Sequence, residues 1–163
     1  MRMSWDTRKE KGVIYIIPKY NAPELRQVCP PFDWNNPEHV AGLQDLHDTL
    51  ADAQGGRALG LAANQIGLMA RAFAFRMGGQ IEIAVNPKVY GTDPTMVTEE
   101  ESCLSFPNLK AKVQRPASGR VIYETGPIED RFVSLTGWEF RCFQHEMDHL
   151  QGITLDILRR KGK

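Results

Sequence analysis

The stretch F-Q-H-E-M-D-H-L, Phe143 to Leu150, sets two histidines four residues apart with Glu146 directly after the first. On a helix, an i, i+4 pair presents two imidazoles one turn apart, a rise of about 6 Å that the side chains can converge across. That is metal-ligand spacing, yet two imidazoles are one ligand short of a catalytic centre with three protein donors and an open position. The competing reading is a hydrogen-bonded pair of core histidines with no ion. The surrounding segment, G-W-E-F-R-C-F-Q-H-E-M-D-H-L-Q-G, reads as one helix that Gly152 stops. Trp138, Cys142, His145 and His149 share one of its faces. Phe140, Phe143, Met147 and Leu150 occupy another, so apolar residues run nearly all round and predict burial.

Downstream sequence supplies no third ligand. Six residues after His149 stands Leu155, and the only acid beyond it is Asp156 in a basic end, R-R-K-G-K, that reads as a frayed tail. Cys142 lies on the right face but about 10 Å along the axis from His149, too far for a short thiol to share an ion at ~2.3 Å. The remaining donor must come from upstream: Cys29, Cys103, His39, His47 or a carboxylate. Cys103 is the best placed, in E-E-E-S-C-L-S-F-P, among polar residues and turn formers. Cys29 sits in a proline-rich loop and reads as incidental. His39 and His47 fall on the polar sides of a helix, where a solvated histidine is the default.

Around this centre the chain reads as a single domain over residues 1–163. Hydrophobic residues are 42% and charged residues 25% of the 163, ordinary for a globular protein. Twenty basic and twenty acidic residues cancel, which argues against specific nucleic-acid binding as the main task. Three scattered cysteines do not form a disulfide framework and suit a reducing compartment. Neither a signal peptide nor a membrane-length apolar run is present in the sequence.

Gly12–Ile17 is a short β-branched strand candidate, and Asn21 to Asn35, with prolines at 23, 30 and 31, reads as a loop. Asn36 can cap the next helix, with Pro37 and Glu38 suited to its first turn. Val40, Leu43, Leu46 and Leu50 give that N-terminal amphipathic helix its apolar face, and Gly55-Gly56 ends it. Strand candidates follow at Ala70–Phe75, Ile81–Asn86, Lys112–Gln114, Arg120–Glu124 and Arg131–Leu135. Strands in succession, not alternating with helices, predict an α+β fold.

Three motifs in order then resemble those of the peptide deformylases: G-L-A-A-N-Q-I-G at Gly60 to Gly67, E-S-C-L-S at Glu101 to Ser105, and Q-H-E-M-D-H-L-Q-G at Gln144 to Gly152. The resemblance spans nearly the whole chain. It departs at Ala58 and Ser102, where the family usually has glycine. The chain also stops soon after its last helix, whereas bacterial members typically continue into a further one. In that respect it looks like the deformylases of bacteriophages.

The resemblance implies antiparallel sheets packed around the buried H-E-x-x-H helix. It implies a metallohydrolase that removes the formyl group from N-formylmethionyl nascent peptides, with Cys103, His145 and His149 holding the ion. Ferrous iron is the expected metal, with Zn2+ or Ni2+ able to substitute. Glu146 would act as general base, while the Gln65 amide and the Leu104 backbone N–H would stabilise the oxyanion. Gly60 would let the peptide backbone lie alongside as an added strand, with Leu59, Trp138 and Cys142 walling the methionine pocket. For Trp138 plain core packing is an equal alternative, and Gln65 could instead be a solvent-facing turn residue. Asp148 and Gln144 read as structural partners of the helix, and Glu101 as a partner of Arg115 that holds the cysteine loop, a pair that contributes little if solvated. A monomer in the cytoplasm of a bacterium or of a phage-infected host is expected, an organelle being the other setting, with encounter of the nascent chain at the ribosome. The rivals are a zinc endopeptidase built on the same helix and a binding domain with a structural ion.

Overall fold

The computed structural model describes residues 22–162, so the Gly12–Ile17 strand candidate lies outside the described residues. Helix α1, Pro37–Asp52, starts as its sequence dictates: the Asn36 side chain accepts hydrogen bonds from the Glu38 and His39 backbone N–H groups. Leu43, Leu46 and Leu50 are fully buried along it. Val40, expected on the same face, is 38% exposed, because the helix enters the core only from its second turn. The loop before it is mostly irregular, as its prolines require, with one 3-10 turn at Pro23–Arg26 that buries Leu25.

Seven strands follow, all paired antiparallel. Strands β1 (Gly60–Ala62), β2 (Ala72–Met77), β3 (Gln80–Thr92), β6 (Ser118–Gly126) and β7 (Glu129–Thr136) form one sheet in the order β1-β2-β3-β6-β7. Strands β4 (Met96–Cys103) and β5 (Phe106–Pro116) form a separate hairpin. All five strand candidates within the described residues are present, several of them longer than expected. Two strands carry no readable pattern. β1 has three residues, and β4 holds the acidic run E-E-E, whose side chains alone argue against a strand. What makes β4 a strand is its partner: β5 alternates, with Leu109, Ala111, Val113 and Arg115 buried and Lys110, Lys112 and Gln114 exposed.

Helix α2, Gly137–Leu150, lies between the five-stranded sheet and the hairpin. Its Phe143 ring packs edge-on to Phe73 and Phe75 at 4.8 and 5.3 Å. Those two residues point to α2 while Ala72 and Ala74 of the same strand pack toward α1, so β2 is covered on both faces. The helix ends at Gly152, as expected. Its φ is +71°, and an added Cβ would meet the Arg26 carbonyl oxygen at 2.6 Å, so only glycine fits.

The basic end is not frayed. Residues Leu155–Lys161 form a third helix, α3, with Leu155 buried against the β4–β5 hairpin. Asp156 receives two hydrogen bonds from Arg26 at 3.0 and 2.9 Å, and Arg26 also donates to the Thr154 hydroxyl. The lysine and arginine run hid an anchor that lies at the helix start.

Candidate metal centre and its pocket

The β4–β5 hairpin keeps regular register to Ser102, opposite Lys110, and then breaks, with Cys103 opposite Phe106. That break carries the Cys103 side chain to α2. Its sulfur lies 3.4 Å from His149 Nε2, which is itself 3.2 Å from His145 Nε2. All three donor atoms fall within 4.8 Å of one another. Cys142 is not among them, as the distance along the helix requires. A sulfur and two ring nitrogens turned inward on one point form the donor set that a divalent cation such as zinc or iron takes. His145 Nδ1 is hydrogen-bonded to Glu101 Oε1 at 3.0 Å, which fixes the ring with Nε2 facing inward.

Glu101 is the hub behind the centre. Arg115 donates to it twice, at 2.7 and 2.8 Å, and Arg141 once, at 2.7 Å. The expected pairing with Arg115 is present, but it is not solvated: the two side chains are 8% and 4% exposed. Burial pushes the Glu101 carboxyl up, and the hydrogen bonds from Arg115 and His145 overcome it, leaving the group near 2. Arg115 also binds Asp148 at 2.8 Å, and Gln144 bonds the Pro116 and Phe140 carbonyls, so both helix residues do structural work.

Burial pulls His145 down, yet hydrogen bonds with Cys103 and Glu101 more than compensate and hold it well above the ordinary range. Burial and the charge on His145 drive His149 well below it.

Glu146 is 3% exposed, and burial raises its carboxyl to about 7. Its Oε2 is buried with no protein partner among the described residues. Gln65 is 1% exposed, which excludes the solvent-facing alternative. Its Oε1 accepts from the Ala62 N–H at 2.9 Å. Its amide nitrogen donates to Ser105 Oγ at 3.0 Å and lies 3.7 Å from the Cys103 sulfur. Leu104 occupies the turn between β4 and β5 and faces the same cavity.

That cavity, about 310 Å³, is lined by Leu59, Gly60, Trp138, Cys142, His145 and Glu146, among others. Trp138 is 57% exposed, so the core-packing alternative falls: it stands at the cavity mouth. Leu59 is likewise at the rim, 50% exposed, and Cys142 is at the floor. The Cys142 thiol is held well above its ordinary range by burial and by the charge on Glu146. The lining also includes Ala58 and Ser102, the two departures from the family pattern, and Arg57, Glu100 and Arg141, which sequence reasoning passed over. For Arg141 there was a signal: an arginine in a helix otherwise apolar nearly all round.

His39 accepts from the Asp33 N–H and His47 pairs with Asp48, both away from the cluster. Cys29 is buried at 1%, its thiol raised to about 11 by burial, in keeping with a core side chain.

The glycine at position 60 is required by the fold itself. An added Cβ would come within 2.6 Å of both Cys142 Sγ and Glu146 Oε1, so the close neighbour is α2 itself. Gly60→Ala is expected to displace the Glu146 carboxylate. Misplacement by about 1 Å can cost on the order of 100-fold in turnover, and overpacking about 1–3 kcal/mol of stability. Steady-state kinetics alongside urea melts check both.

An H-E-x-x-H helix closed by a cysteine from a distant hairpin defines a candidate Cys/His2 metal centre beside a buried carboxylate. The family model described as Polypeptide deformylase matches residues 14–163, and the chain belongs to that family. A peptide deformylase of Brucella suis is 35% identical over 136 residues, covering 80% of this chain and 76% of the relative. The peptide deformylase of Thermotoga maritima is 30% identical over 142 residues, covering 87% and 85%. A crystal structure of the Thermotoga maritima peptide deformylase superposes with a TM-score of 0.80 at 29% identity, covering 89% of this chain and 97% of that one.

Proposed function

We propose that this chain is a metal-dependent peptide deformylase that hydrolyses the formamide bond of N-formylmethionyl nascent peptides and releases formate. The observation that carries this reading is the convergence of Cys103, His145 and His149, with Glu146 beside them in a chain of this family. Those three residues would hold the ion. Bound there, a divalent cation would acidify a water molecule and polarise the formyl oxygen.

The protein's own groups account for the remaining steps. Glu146, poised near neutrality by burial, takes the proton of the attacking water and returns it to the departing amine. The Gln65 amide has two hydrogens. Ser105 takes one, and the other faces the Cys103 sulfur at 3.7 Å, from where with the Leu104 N–H it can turn to donate to the oxyanion. The peptide backbone adds alongside β1, an edge strand of the five-stranded sheet, while Leu59, Trp138 and Cys142 enclose the methionine side chain. Ferrous iron is the resident ion in this reading, with zinc or nickel able to replace it. Formylated nascent chains in the cytoplasm of a bacterium or an infected host are the substrates. No helix among the described residues is long and apolar enough to cross a membrane.

The test is formate release from formyl-Met-Ala-Ser by protein loaded anaerobically with Fe2+. Release from the formylated peptide with no cleavage of unformylated internal bonds supports the reading. Internal cleavage without formate would favour an endopeptidase. Binding of the peptide without turnover would favour a binding domain.

A further inference from the structure

We propose that Arg141 is a positioning residue for the metal centre: it bolts the hairpin that carries Cys103 to the helix that carries the two histidines. This rests on the deformylase reading of the site.

Arg141 lies one helical turn before His145 and is 6% exposed. An arginine buried this deeply is costly unless its charge is paired and hydrogen-bonded. Here Nη1 donates to Glu101 Oε2 at 2.7 Å and to the Val113 carbonyl at 2.9 Å, and Nη2 donates to the Val97 carbonyl at 2.7 Å. Val97 belongs to β4 and Val113 to β5, so one side chain from α2 grips both strands of the hairpin and the carboxylate between them. The planar guanidinium fork suits it to several fixed acceptors, where an ammonium would act as a single point charge.

Glu101 lies two residues before Cys103 on β4, and its other oxygen holds the His145 ring. Displacing Glu101 would therefore move a sulfur and an imidazole apart together. Arg115 also grips Glu101 and ties β5 to α2 through Asp148 at 2.8 Å, whereas Arg141 extends from the helix and takes backbone carbonyls of both hairpin strands. Three of the five guanidinium N–H groups are engaged by these partners, all of them on the hairpin.

Arg141→Met preserves the stem and its volume and removes the fork. The experiment loads wild type, R141M, R141K and, as a control distant from the centre, R131M with Co2+. It records the thiolate-to-cobalt absorption band and then the rate of ion release to a chromophoric chelator. Losing an outer partner of a metal ligand typically costs about 10- to 100-fold in affinity. R141M is expected to release the ion that much faster and to show a weakened or shifted band. R141K, which cannot reach all three acceptors, should fall between R141M and wild type, and R131M should match wild type. Release and band unchanged in a folded R141M overturn the proposal. Should R141M fail to fold, R141K decides: accelerated release supports the proposal, and a wild-type rate or a failure to fold overturns it. A wild type that shows no thiolate band, or releases no formate when loaded with iron, would instead sink the functional reading beneath.

Discussion

Glu146→Gln should abolish most of the formate release while leaving the ion in place. General acid–base catalysis contributes about 10²–10⁴-fold, and an amide can neither take nor return the proton, so turnover is expected to fall by about 1,000-fold. Ion content, measured on the same samples, should match wild type, because Glu146 is not among the three converging donors. A variant that kept turnover would remove Glu146 from the mechanism.

The same substitution carries a signed prediction for stability. Burial holds the carboxyl at about 7 against an ordinary value of 4.5, so the ion-free folded chain keeps a proton that the unfolded chain releases between those values. The stability this proton brings is complete below about pH 4.5 and is lost as pH climbs through 7, on the order of 3 kcal/mol in all. Glutamine does not titrate. Ion-free E146Q is therefore expected to melt above wild type at pH 8, with the difference shrinking toward pH 5. A catalyst that gains stability when its base is removed carries that base as a strained, functional burial.

Cys103→Ala is the second large effect. With one of three donors gone, two imidazoles one turn apart remain, and retention of the ion through gel filtration is expected to fail. The loss in affinity should exceed the ~10- to 100-fold typical of outer partners, and formate release should fall with it. The thiol is small and 8% exposed, so the ion-free variant should fold with little change in its melting curve. Full ion content in C103A would mean that the sulfur is a neighbour of the centre and not part of it.

The sequence shows its own limits at particular residues. The capped start of α1 and the stop at Gly152 are local signals, and each is present in the structure. Strand β4 was illegible because E-E-E is stabilised from outside. Two arginines from β5 and α2 take up Glu101, and no window of sequence contains all three. Trp138 sits on the histidine face of a helix whose periodicity predicts burial, but the cavity opens there and leaves it exposed. For Gly60 the crowding by α2 was not legible in the sequence, since Cys142 and Glu146 lie more than eighty positions away. The three motifs picked out Cys103, His145 and His149, which the fold brings together, because each combines chemistry with spacing. Arg141 belongs to the last helix but matches no motif, and only the geometry gives it a task.

Cys103 stands 46 positions from His149 in the chain, so an unfolded polypeptide offers a cation two neighbouring imidazoles and a remote sulfur. Tight capture belongs to the native chain alone, and mass action then ties durability to supply. An ion present at 100 times its dissociation constant adds about 2.7 kcal/mol. A cell starved of that ion would hold an enzyme that is idle and also softer, opening more often to proteases and turning over sooner.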